Sequence, residues 1–261
     1  PQLFGPATLC EYNAAPMLSA IGENIVWYAS DKTTELANGE SLQTTDMGVG
    51  RHQYYASQTV DGCPGPLTPI SFMVSAKPTN PIVKGASMCA GSAEIPALES
   101  NLPIDLWYSN ENALESSFLT IGKTYTPEAE TLTESITYYA KRIQNGCESS
   151  VVPVVMNVIT QPTFSIGDDI TMCVYDSPQT IQAKEFTPEA TESSYIGWTV
   201  SSASISKAYL DNEQHALDLA EVLKKPGKYT VSANYQYRYD NVYCSSQPET
   251  MTYTVVDRAR K

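Results

Sequence analysis

The chain has 261 residues, more than one sandwich of about 100 residues needs and enough for two or three separate cores. Its net charge of −13 and pI near 4.5 repel phosphate backbones and anionic lipid, which disfavours nucleic-acid binding. With 17 Tyr against 5 Phe and 17% charged residues, the composition suits β-sheets whose aromatic faces end in a hydroxyl, and no apolar run reaches the roughly 18 residues that spanning a bilayer takes.

Along the chain, the N-terminus PQLFGPATLC lacks the basic-then-apolar layout of a signal peptide, and TYTVVDRARK stops just after a strand-like run. The expectation is a fragment of something longer. Self-similarity organises what lies between. IVWYAS from Ile25 aligns with DLWYSN from Asp105, and YYASQTVDGC from Tyr54 with YYAKRIQNGC from Tyr138. Between these blocks Leu36, Gly39 and Leu42 recur as Leu119, Gly122 and Tyr125. Each unit therefore reads Cys, Trp-Tyr, Leu-x-x-Gly, Tyr-Tyr-Ala, Gly-Cys.

The steps Cys10 to Cys89 and Cys89 to Cys173 are 79 and 84 residues, one small sandwich each, and the predicted repeats are 1–77, 78–161 and 162–261. Pro78, Pro81 and Pro162 stiffen the connections SAKPTNPIV and VITQPTFSI by fixing φ. Asp61-Gly62 and Asn145-Gly146 tolerate the positive φ of two-residue hairpins that lead from the Tyr-Tyr strand to the closing strand. Closing strands alternate at Ile70, Phe72, Val74, at Val152, Val154, Met156, Val158, and at Met251, Tyr253, Val255.

The third repeat diverges, with Cys173, then Trp198 in IGWTV, GKYTVSANYQYRY from Gly227, and Cys244. In that run Tyr229, Val231, Ala233, Tyr235, Tyr237 and Tyr239 share the parity expected to face the core. HALDLAEVLKKPG from His215 reads either as a helix capped by Asp211 or Asn212 and stopped by Pro226-Gly227, or as strand plus turn, since Leu217, Asp218 and Leu219 alternate.

At the Trp-Tyr, Leu-x-x-Gly, Tyr-Tyr-Ala and Gly-Cys blocks, the first two repeats resemble the Ig-like repeats of large secreted surface proteins of Bacteroidota, including gliding-associated adhesins. The third is similar to the PKD-like modules that share those chains. The resemblance implies an all-β fold of three tandem immunoglobulin-like β-sandwiches in an extended array, on the extracellular cell surface, reached by type IX secretion. No sorting domain of that route is recognisable in this sequence. It implies as partners the other domains of the same surface protein.

Chemistry-bearing residues are few. Trp27, Trp107 and Trp198 sit where a sandwich buries an indole. Tyr28 and Tyr108 follow on the opposite parity and are the candidate ligand contacts, for a glycan or a protein, each joined across strands by one member of a Tyr-Tyr pair. His52 and His215 are the only imidazoles, and there is no G-x-S-x-G elbow, so no catalytic residue is assigned. No C-x-x-C pair exists, and no metal site or cofactor is assigned. Asp168-Asp169 lies near the second linker without an EF-hand-like pattern.

The six cysteines, Cys10, Cys63, Cys89, Cys147, Cys173 and Cys244, fall two per repeat, as an extracellular disulfide framework would. Each repeat supplies two in the same order around its Trp, so the expected pairing is within repeats, Cys10–Cys63, Cys89–Cys147 and Cys173–Cys244. The function expected is a non-catalytic stalk or spacer of a surface adhesin. The alternatives are a ligand-binding module and a non-catalytic appendage of a secreted enzyme.

Overall fold

A computed structural model describes residues 1–211 and 215–257 of the chain. The fold is all-β, and each repeat builds its main sheet on one plan. In the first repeat the order is Thr8–Cys10, Thr68–Ser75, Gly50–Ser57, Val26–Tyr28, Glu35–Asn38. In the second it is Ala86–Cys89, Val152–Ile159, Ile136–Gln144, Asp105–Tyr108, Phe118–Ile121, and in the third Ile170–Cys173, Glu249–Val256, Gly227–Tyr239, Tyr195–Ser201, Ser206–Asp211. Among the described residues the strands of these sheets pair antiparallel except at one edge, where the strand ending in Cys10, Cys89 or Cys173 runs parallel to the closing strand. A smaller sheet accompanies the main one: Gln2–Phe4, Met17–Ile21 and Ser41–Gln43 in the first repeat, Val83–Lys84, Leu98–Ser100 and Thr124–Tyr125 in the second. That is an immunoglobulin-like β-sandwich repeated in tandem.

The chain divides into two compact units, residues 1–84, 99–125 and 137–154, and residues 85–98, 126–136 and 155–261. The division passes through the second repeat.

Alternation explains the cores. In the first repeat Leu18, Trp27, Ala56, Phe72 and Val74 are fully buried and pack with Leu42 and Ile25. In the third, Trp198, Val231, Tyr235, Met251 and Tyr253 do the same. Tyr229, Val231, Ala233 and Tyr235 are buried as their parity demands, but Tyr237 is half-buried and Tyr239 exposed, because the strand there pairs with Val242–Ser245 beyond the core. The segment after His215 is strand plus turn. Ala216–Leu217 pairs with Ile181–Gln182, and the amides of Val222 and Leu223 turn back on the Leu219 carbonyl. Asp211 ends a strand, and Asn212, the other proposed cap, lies outside the described residues.

The Leu-x-x-Gly block has a local cause. Trp27 lies opposite Ala37 but Tyr28 opposite Glu35, so Leu36 is the extra residue of a bulge; Leu119 is its counterpart between Phe118 and Thr120. The kink brings the carbonyl of the motif's glycine over the indole. Trp27 Nε1 donates to Gly39 O at 2.9 Å and Trp107 Nε1 to Gly122 O at 2.9 Å. A buried N–H is thereby satisfied. In the third repeat, which lacks the block, Trp198 Nε1 has no partner among the described residues.

Candidate functional site: a stapled repeat junction

The cysteines are not paired as their order within repeats suggests. Cys10 bonds Cys147 and Cys89 bonds Cys244, each with Cα atoms 5.6 Å apart, while Cys63 and Cys173 are free and exposed. The physical reason is geometric. The first cysteine ends the short strand parallel to the closing strand, and the second lies past the hairpin, on a strand that pairs only with the hairpin's own first arm. A disulfide needs Cα atoms within about 7 Å, and that distance is met between the strand end of one repeat and the hairpin of the next.

Around Cys10–Cys147 the first linker is held by side chains. Tyr12 Oη accepts the Glu148 N–H at 2.9 Å, Lys77 Nζ donates to Ser150 Oγ at 2.8 Å, and the Ser150 amide donates to Asn80 Oδ1 at 3.1 Å. The anchor is a buried ion pair. Arg142 and Asp105, with side chains 4% and 0% exposed, meet at 2.7 Å (Nε to Oδ1), and a second guanidinium nitrogen reaches Oδ2 at 3.0 Å. The other donors reach Thr79 Oγ1 at 3.0 Å and Asn101 Oδ1 at 2.7 Å, and Ser100 Oγ donates to the same carboxylate.

Burial pushes the Asp105 carboxyl up, but the bonds from Arg142 and Ser100 and the guanidinium charge together outweigh it and hold the group below the usual carboxylate range. The hydrogen bonds that Arg142 donates to Asp105 push its guanidinium above its ordinary value, against its burial. Sequence reading passed over this pair, although the aligned blocks carry the signal. Where the aligned blocks of the first repeat carry Ile25 and Gln58, the second has Asp105 opposite Arg142, a charge at a position where the first repeat buries an isoleucine.

The candidate ligand contacts fare differently. Tyr28 is half-buried and lies opposite Tyr55, whose ring carries Lys32 Nζ at 5.2 Å from its centroid. Tyr108 lies opposite Tyr139 as expected, but it is not outward-facing: it is 4% exposed. The bulge turns it against Phe118, 5.8 Å away edge-on, and Lys141 Nζ stands 5.1 Å from its ring centroid while bonded to Glu148. A cation and a neighbouring ring occupy the face a ligand would need.

His52 stacks on Phe72 at 5.1 Å, its Nε2 lies 2.6 Å from Gly48 O, and Asp46 is 3.6 Å from Nδ1. His215 packs on Phe186 at 5.0 Å, with Nδ1 unpartnered among the described residues. The two belong to different compact units. A hollow of about 600 Å³ on the first repeat is lined by Leu42, Asp46, Arg51, His52 and Tyr54 among others. Asp169 spends a carboxylate oxygen on the Thr252 amide, 2.7 Å away.

No family model matches the chain, and no curated protein matches it. Among solved structures it is similar to Sidekick-1 immunoglobulin domains 1–4, at 15% identity over 96% of this chain and 73% of that one, with a TM-score of 0.31. It is also similar to the human Desmocollin-1 ectodomain, at 10% identity over 98% and 61% with a TM-score of 0.33. A third is a Ca²⁺-stabilised adhesin with which an Antarctic bacterium binds ice, at 9% identity over 97% and 72% with a TM-score of 0.37. The fold assignment therefore rests on the chain's own strand order, which is that of immunoglobulin-like sandwiches in tandem.

Proposed function

We propose that the chain is a non-catalytic spacer of an extracellular adhesive surface protein, built from modules 1–77, 78–161 and 162–261 and displaying a binding region carried elsewhere. One observation carries the reading: adjacent repeats are joined by a disulfide, and the linker at the first junction is pinned by the buried Arg142–Asp105 pair through Thr79. Fixing a junction is what a spacer needs to transmit position, whereas a freely jointed binding module gains nothing from it. Disulfides also fit an oxidising, extracellular setting. The finer origin, a Bacteroidota surface protein exported by type IX secretion, is supported by the sequence blocks alone.

Small-angle scattering of the oxidised protein tests the spacer reading. Three sandwiches end to end span about 110–120 Å at about 3.3 Å per strand residue plus loops. The expected radius of gyration is above about 30 Å, against about 18 Å for a compact body of this length. A value near the compact one would overturn the spacer and favour a binding module.

A further inference from the structure

The two free cysteines occupy positions that are bonded elsewhere in the same molecule. The residue after each strand-end cysteine donates its N–H to the closing strand in all three repeats: Glu11 to Ser75 O, Ala90 to Ile159 O, Val174 to Val256 O. Cys173 therefore stands where Cys10 and Cys89 stand. The second residue after each hairpin cysteine donates likewise, Gly65 to Gln58 O, Ser149 to Arg142 O and Ser246 to Tyr235 O. Cys63 therefore stands where Cys147 and Cys244 stand.

The surroundings of Cys173 repeat those of Cys10 as well. Asn13 Oδ1 accepts the Cys10 amide at 2.7 Å, and Asp176 Oδ2 accepts the Cys173 amide at 3.0 Å. Tyr12, two residues past Cys10, receives the incoming hairpin through Glu148 N–H; Tyr175, two residues past Cys173, is 78% exposed. An exposed tyrosine thus stands beside a free thiol where its counterpart in the first repeat meets a hairpin.

We propose that Cys63 and Cys173 are the open halves of a module-to-module disulfide ladder. Each is completed by a further module of this same type: Cys173 by that module's hairpin cysteine, which docks on Tyr175, and Cys63 by that module's strand-end cysteine. Each closure removes two protons and two electrons from two thiols. A low-molecular-weight disulfide such as oxidised glutathione accepts them: one thiolate attacks it to form a mixed disulfide and releases a first thiol, and the partner thiolate then displaces the second. The proposal rests on the spacer reading for its direction along the array, but its readout is peptide mass rather than shape, so either can fail alone.

A second copy of the chain offers both halves and is the probe. Held with oxidised glutathione, the protein is expected to form covalent dimers and longer chains on non-reducing gels, with Cys63–Cys173 between copies as the intermolecular peptide. Mixing Cys63→Ser with Cys173→Ser protein should give a dimer that stops at two copies. Pro64 lacks the N–H that Glu148 gives Tyr12, so Pro64→Glu should speed coupling severalfold, and Tyr175→Phe should cancel that gain. A statistical mixture of Cys63–Cys63, Cys173–Cys173 and Cys63–Cys173 would overturn the ladder, as would glutathione adducts without chain-to-chain bonds. An unchanged rate in Pro64→Glu would overturn the docking role of Tyr175.

Discussion

Asp105 stands where the first repeat has an isoleucine, and its energetics follow from burial. A carboxylate removed from water is tolerated only with its charge and lone pairs matched, and Arg142 and Ser100 match them. Asp105→Ala or Arg142→Ala strands the partner and is expected to cost about 3–5 kcal/mol, measured by denaturant melts followed at Trp fluorescence. The double change Asp105→Ile with Arg142→Gln, which installs the first repeat's pair, should cost well under the sum of the single losses. Additive losses would mean that the two side chains do not act as a pair. The pH dependence has a definite sign. The folded carboxyl is held below its unfolded value of about 3.9, so the pair stabilises the fold above that pH, and the contribution is lost as pH falls through the lowered folded value. Acid melts of the wild type should weaken over that window, and those of the double variant should not.

Hairpins set where the staples sit. Asn145 and Gly146 take φ of 53° and 76°, as Asp61 and Gly62 take 49° and 78°, the left-handed pair that lets a two-residue turn follow the twist of its strands. The turn places Cys147 directly after it, opposite Gln144. Gly146→Val puts a β-branched residue at positive φ and is expected to cost about 1–2 kcal/mol. Gly146→Asn, whose side chain tolerates that region, should cost a fraction of it. Equal thermal shifts for the two variants would remove backbone conformation as the cause.

At the scale of the molecule the disulfides couple repeats that each have a sandwich of their own. Cys10–Cys147 and Cys89–Cys244 close loops of 137 and 155 residues, worth on the order of 5 kcal/mol each in the chain-entropy model. Calorimetry of the oxidised protein is expected to show coupled unfolding. Reduction, or Cys10→Ser with Cys147→Ser, should lower the melting temperature and separate the transitions. Identical traces before and after reduction would mean that the staples tie parts already held together by packing.

The local period of the sequence was enough for the strands, the buried tryptophans and the two-residue turns. Alternation at Phe72 and Val74 or at Val231 and Ala233, and Gly after Asp or Asn, act between neighbours a few residues apart. Three things were decided only in three dimensions. The disulfide partners depend on which cysteines a strand end and a neighbouring hairpin bring within 7 Å, and repeat-by-repeat order points to the wrong mates because the nearest hairpin belongs to the next repeat. Tyr108 has the parity of an outward residue, yet the bulge at Leu119 and the reach of Lys141 bury it. Asp105 reads as one more acidic residue among 29 Asp and Glu, and only its position opposite Arg142 on the adjoining strand makes it the anchor of the junction. Short-range periodicity fixes secondary structure, but pairing across a junction depends on distances that the chain sets only once it has folded.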